Sequence, residues 1–313
     1  MSYVETREQN LKNSIIPQNA KEDLADFWKE QVDFLRTFPL QVSRKKLDLP
    51  YEKSFITYEV TYNTHDKTMI NAWFSVPAGQ EGKKLPCVAY YHGGGGSKSL
   101  EPFILATGVC CFSMDVRSQS GTSIDRAEYT FTDNMGSLMS RDITNKNSFY
   151  MRNIYLDAVR AMDVIATLPE VDPERIVTFG QSQGGALSMV AGAFSGRAKK
   201  CYVCEPSYNC LHRRIEQGSG IFGPATTMLR IYPHLTDQVF ETLTYFDVNN
   251  IASLLTVETD VALALADPIC IPQFVYSVYT HIAGPKQLHM YPFVTHTTPD
   301  PYMKFFHREL SEL

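Results

Sequence analysis

FGQSQGG, residues Phe179 to Gly185, lies between two segments of opposite character. Before it, Arg175-Ile-Val-Thr-Phe179 carries the β-branched and aromatic side chains of a short strand. After it, Ala186 to Phe194 carries the small and apolar side chains of a buried helix. A Gly-x-Ser-x-Gly bend between strand and helix is a nucleophile elbow. Gly180 and Gly184 would let the two elements approach closely, while Ser182 takes strained dihedrals that lift its hydroxyl clear of the sheet. Gly and Ser are common residues, so the pattern gains its weight from its surroundings.

Those surroundings read as an α/β domain. Lys21 to Phe38 has apolar residues at helical spacing (Leu24, Phe27, Trp28, Val32, Phe34, Leu35). Ser54 to Val60 and Met69 to Val76 alternate as antiparallel strands do. Beyond them the rhythm becomes buried strand, loop, helix. Pro86 to Tyr91 and Val109 to Met114 are nearly all apolar, as strands covered on both faces must be. Tyr155 to Leu168 predicts a long sheet-covering helix, and further strands are expected at Lys200 to Cys204, Val261 to Ala266 and Leu288 to Tyr291. The expectation is one domain over residues 1–313, a doubly wound, mostly parallel sheet with antiparallel strands at its start. Two excursions, 119–149 and 206–255, interrupt the rhythm. Such insertions serve as binding loops, lids and contact surfaces, or as surface decoration, and the sequence leaves both readings open.

Bulk properties exclude several classes. A net charge of −5 over 313 residues gives no electrostatic footprint for nucleic acid or an anionic membrane surface. The start, Met-Ser-Tyr-Val-Glu-Thr-Arg-Glu, is too polar for a secretory signal, and no apolar run is long enough to span a bilayer. Seven cysteines form no dense framework, and Cys201-Tyr-Val-Cys204 reads as buried strand thiols rather than a metal or redox pair. The expected setting is the reducing cytoplasm.

Active sites of open parallel sheets lie past the carboxyl ends of the strands. In the α/β-hydrolase order an acid and then a histidine follow the serine. Asp267 directly follows Val261-Ala-Leu-Ala-Leu-Ala266, and His296 follows the last strand and a short turn. The alternatives are weaker. Asp260 precedes its expected strand, His289 lies inside one, and His281 and His307 lie in expected helices. The expected chemistry has Ser182 as nucleophile, His296 as base and then acid, and Asp267 as the group that orients the ring. Backbone donors for the developing oxyanion are expected from Gln183 and from Tyr91-His92-Gly93-Gly94-Gly95-Gly96, with Gly94 as the second donor. His92 reads as a loop brace. No metal or organic cofactor is required.

Taken together, these residues resemble the acetyl xylan esterase and cephalosporin-C deacetylase family, carbohydrate esterase family seven. The resemblance covers nearly the whole chain. Asp26-Phe-Trp28 is similar to that family's opening helix, and Arg117-Ser-Gln119 stands where it has Arg-Gly-Gln. Arg141-Asp-Ile-Thr and Tyr150 to Arg160 resemble the lead into its long helix. Gly180-Gln-Ser-Gln-Gly-Gly185 is similar to its elbow, with Gln181 and Gln183 flanking the serine, and Asp267-Pro-Ile-Cys-Ile-Pro272 to its Asp loop. The resemblance implies deacetylation of short xylo-oligosaccharides and related small acetyl esters such as cephalosporin C. It also implies site-supporting roles for Gly93, Gln181, Arg117 and Gln119, and a homohexamer with inward-facing sites. Three positions depart from the family: Ser118 replaces its Gly, Thr297 replaces the Glu after its histidine, and Gly94 stands where many members carry an aromatic residue. A lactone hydrolase or peptidase would need the same residues. The departures also raise a hydrolase-like binding protein, against which the intact Ser-Asp-His order argues.

Overall fold

The computed structural model describes residues 2–50, 53–80, 82–132, 136–218 and 220–313. Nine strands form one sheet: β1 (Ser43–Lys46), β2 (Phe55–Asn63), β3 (Met69–Pro77), β4 (Leu85–Tyr91), β5 (Cys110–Met114), β6 (Val171–Gln181), β7 (Lys200–Cys204), β8 (Glu258–Ala264) and β9 (Lys286–Tyr291). Their spatial order is β1-β2-β3-β5-β4-β6-β7-β8-β9. The pairs β1–β2, β2–β3 and β3–β5 are antiparallel, and every pair from β5 to β9 is parallel. The chain leaves β4 toward one edge and, from β6 onward, winds toward the other. The carboxyl ends of β4 and β6 therefore flank the switch point, where open α/β sheets keep their ligand crevice.

Helices cover both faces. The larger core joins the helices Leu24–Arg36, Tyr150–Ile165 and Gln183–Phe194 to one face, with Trp28 fully buried and its indole N–H donating to Tyr245 O at 2.8 Å. The helix Asp300–Ser311 closes a smaller core on the other face, where Phe306 stacks on Phe179 of β6 at 4.4 Å between ring centroids. The long helix starts a turn earlier than its periodicity suggests, at Tyr150, because Arg152, Asn153 and Asp157 are polar but buried in ion pairs and hydrogen bonds. Cys201 and Cys204 lie in β7 as free, buried thiols.

Asp260 requires a correction. It lies within β8, not before it, because Lys200 Nζ at 2.9 Å and His289 at 3.3 Å compensate its charge inside the sheet. It still sits near the amino end of the strand, away from the switch point. His281 Nε2–H donates to Ile16 O at 3.0 Å near the end of its helix, and His307 packs on Phe103.

Both excursions wall one cavity. The first supplies Gln119, Ser120, Leu138 and Met139, and the second Ser207, Tyr208, Arg214, Ile221 and Phe222. The second carries the helices Leu211–Gln217, Gly223–Ile231, Thr236–Thr244 and Val248–Ile251. Residues 133–135 of the first and Ser219 of the second lie outside the described residues. Among the described residues no helix is long and apolar enough to cross a membrane.

Candidate active site

Ser182 ends the β6 bend with φ +57° and ψ −119°, a conformation that L-residues other than glycine seldom take. Three contacts over-determine it. The Ser182 N–H donates to Cys204 O at 2.9 Å, and its carbonyl accepts from Ser207 at 3.0 Å and from Ala186 at 3.1 Å. The elbow glycines are sterically required. A Cβ on Gly184 would lie 1.9 Å from Tyr91 O, and one on Gly180 would lie 2.3 Å from the Gly184 backbone. Close packing of β6, its helix and the end of β4 thus fixes the serine at the switch point.

His296 and Asp267 arrive from the loops after β9 and β8. Ala266 N–H donates to Val294 O at 3.1 Å and ties those loops together. The His296 Nδ1–H donates to Asp267 Oδ2 at 2.8 Å, while Asp267 Oδ1 accepts from the amides of Ile269 (2.7 Å) and Cys270 (2.9 Å). The Asp267 carboxylate is fully buried, and the His296 ring keeps 22% of its surface open to the cavity. The bond to Asp267 and then the Cys270 thiol raise the His296 pKa, making the ring a stronger base.

Ser182, His296 and Asp267 therefore gather at one rim, but the serine and the histidine are not hydrogen-bonded among the described residues. Instead Ser182 Oγ rests 3.9 Å from Cys270 Sγ. That sulfur, the Asp267 carboxylate and the His296 ring keep their donor atoms within 4.8 Å of one another.

Gln183 is the first residue of its helix, so its N–H has no intrahelical acceptor and sits at the positive end of the helix dipole. Gly94, in the loop after β4, lines the same cavity. Gln119 braces both sides. Its Oε1 accepts from Gly95 N–H at 2.9 Å, and its amide pairs reciprocally with that of Gln183 at 2.7 and 3.0 Å. Tyr208 OH donates to Gln183 Oε1 at 2.5 Å. His92 is the brace its position suggests. Val116 N–H donates to its Nε2 at 3.0 Å, so the ring proton is on Nδ1 and donates to Gly93 O at 2.7 Å. Burial lowers its pKa and keeps the ring neutral.

Arg117 lies outside the cavity lining and braces its wall. It donates to both Asp157 oxygens at 2.7 Å and to Asp125 at 3.0 Å, pairs with Asp66, and offers its carbonyl to Tyr150 OH at 2.6 Å. Ser118 beside it has φ +56°, the left-handed backbone that a glycine would take without strain. A Cβ on Gly93 would lie 3.8 Å from the Gln181 carbonyl oxygen, and Gln181 lines the cavity beside Glu205, whose pKa its side chain lowers.

Sequence reasoning gave no role to Cys270 or Glu205. Cys270 was visible three residues after Asp267, but nothing in a sequence shows that its sulfur reaches both serine and histidine. Glu205 directly follows β7, the same strand-end signal that singled out Asp267. It is fully buried, and burial and then Asp267 push its pKa up to about 8 against the pull of His296 and the Gln181 side chain.

The model of the family described as acetyl xylan esterase (AXE1) matches residues 1–309. The acetyl esterase Axe7A of Xylanibacter ruminicola is 25% identical over 284 residues, 88% of this chain. The chain spans only 64% of that relative's length. An acetyl xylan esterase structure from Paenibacillus sp. R4 superposes with a TM-score of 0.91 at 29% identity, covering 100% of this chain and 99% of that one. Acetyl xylan esterase 1 from Thermoanaerobacterium sp. JW/SL YS485 shares the fold, with a TM-score of 0.89 at 24% identity over 97% and 98% of the two chains. The chain belongs to the acetyl xylan esterase (AXE1) family, enzymes of the esterase class built on the α/β-hydrolase fold.

Proposed function

We propose that this chain is a serine esterase that removes acetyl groups from short acetylated xylo-oligosaccharides and related small acetyl esters, cephalosporin C among them. The observation that carries the reading is Ser182, held at φ +57° on the switch-point elbow in the same cavity as a His296–Asp267 pair closed at 2.8 Å. The serine hydroxyl turns toward the free side of the imidazole, gives up its proton and attacks the acetyl carbonyl. Charge on the carbonyl oxygen meets the Gln183 and Gly94 amides. The imidazolium, stabilised by Asp267, protonates the departing sugar hydroxyl, and water then repeats the cycle on the acetyl-enzyme.

The cavity of about 1180 Å³ has room for a few sugar units beyond the acetyl group. Acetate release from acetylated xylo-oligosaccharides, compared with butyryl esters and peptides, tests the assignment. Preference for the acetyl esters is expected, and absence of acetate release would overturn it. We also propose assembly as a homo-oligomer in a reducing cytoplasm. The exposed Ile231 and Phe293 side chains and seven free, buried cysteines support that setting, and sedimentation of the purified protein tests the assembly.

Gly94 makes a further prediction. A Cβ there meets nothing within 4 Å, and the backbone is not left-handed. Gly94→Tyr, which restores the family's aromatic wall, should leave thermal stability within a few degrees. It should sharpen the preference for acetyl over butyryl esters by on the order of tenfold, read as a ratio of kcat/KM values.

A further inference from the structure

We propose that Asp267, Cys270 and His296 form a site for a thiophilic divalent cation, Zn²⁺ foremost, whose binding switches the esterase off. A carboxylate oxygen, a sulfur and a ring nitrogen from these three residues lie within 4.8 Å of one another. On a tetrahedral zinc ion such donors stand roughly 3.4–3.6 Å apart, so side-chain shifts of about 1 Å close the set. Thiolate with imidazole and carboxylate suits Zn²⁺ or Co²⁺, whereas Mg²⁺ and Ca²⁺ require all-oxygen shells. The sulfur lies beneath the surface, but the His296 ring lines the cavity and gives a cation its route in. The fourth position faces Ser182, whose Oγ is 3.9 Å from the sulfur.

Inhibition follows whichever ring nitrogen binds. Coordination through Nδ1 breaks the 2.8 Å bond to Asp267, and coordination through Nε2 occupies the lone pair that must accept the serine proton. On binding, the Cys270 thiol and the coordinating His296 nitrogen, where it is protonated, release their protons to solvent, and the sulfur and nitrogen donate electron pairs to the metal with no change of oxidation state. Cys270 is the discriminating ligand because the proposed esterase chemistry gives its thiol no task.

The loss of activity rests on the esterase reading, but metal binding does not, and the two are measured separately. Co²⁺ added to the chelator-treated full chain should give a thiolate-to-cobalt charge-transfer band in the near ultraviolet. Ser182→Ala should keep the band, and Cys270→Ala and the closer mimic Cys270→Ser should lose it. In acetate-release assays Zn²⁺ should inhibit, reversibly by chelator, where equal Mg²⁺ or Ca²⁺ does not. Cys270→Ala should need on the order of tenfold more Zn²⁺ for the same inhibition. Absence of the band in the unaltered protein, its persistence in both Cys270 variants, or equal zinc sensitivity in Cys270→Ala would overturn the proposal.

Discussion

Ser182→Ala lowers kcat/KM for acetyl esters by on the order of 10³-fold or more, with the residual rate coming from the oxyanion amides and the cavity. Removing a hydroxyl can also disturb a fold, so a second substitution separates the two effects. Ser182 sits at φ +57°, a strain of about 1–3 kcal/mol for a side chain with a Cβ. Ser182→Gly relieves that strain at the expense of a more flexible unfolded chain, for a net gain of about 1 kcal/mol. Activity and stability should therefore move in opposite directions, in assays of acetate release and urea unfolding. A fluorophosphonate probe should label the unaltered protein at Ser182 and leave both variants unmodified. Retention of most activity in Ser182→Ala would move the nucleophile elsewhere, with Cys270, whose Sγ lies 3.9 Å from the Ser182 Oγ, the first candidate.

The parallel strands were legible because burial on both faces leaves little but apolar residues. Pro86 to Tyr91 and Lys200 to Cys204 fall within a residue of β4 and β7. The elbow was legible because its glycines answer a local steric demand, which the Gly184–Tyr91 approach makes visible. Asp267 and His296 could be picked out because chain order and strand ends restrict the choices. Elements with polar surfaces escaped notice. The helix Tyr3–Lys12 is weakly amphipathic, and its signal was the capping box, in which Ser2 accepts from the Glu5 amide and Glu5 reaches back to the Ser2 N–H. Strand β1, Ser-Arg-Lys-Lys, has no apolar alternation because it is a charged sheet edge. Asp260 looked external to its strand because its compensating partners, Lys200 and His289, come from the neighbouring strands β7 and β9. Cys270 and Glu205 depend in the same way on which strand ends become neighbours.

That dependence is strongest at Arg117, where the second large effect is expected. One fully buried guanidinium serves Asp66, Asp125 and Asp157, whose side chains are 14%, 2% and 0% exposed. It anchors the loop carrying Gln119 to the helix Tyr150–Ile165. Arg117→Leu keeps much of the volume but leaves Asp157 buried without its partner, which costs about 3–5 kcal/mol. Burial already pushes the Asp157 carboxyl up to about 7 against the pull of Arg117, and losing the cation raises it further. A carboxyl with a raised folded pKa stabilises the fold fully below its unfolded value, near 3.9, and that contribution is lost as pH rises through the folded value. Because the unaltered protein already loses this contribution up to about pH 7, the deficit of Arg117→Leu relative to it should be smallest below neutrality and grow above pH 7, as read by urea unfolding on both sides of that value. Arg117→Leu with Asp157→Asn removes the orphaned charge and should recover at least about 1 kcal/mol at pH 7. With the Gln119 loop loosened, kcat should fall in the single variant even where it remains folded. A deficit independent of pH, and unchanged by Asp157→Asn, would mean that packing rather than charge makes Arg117 matter.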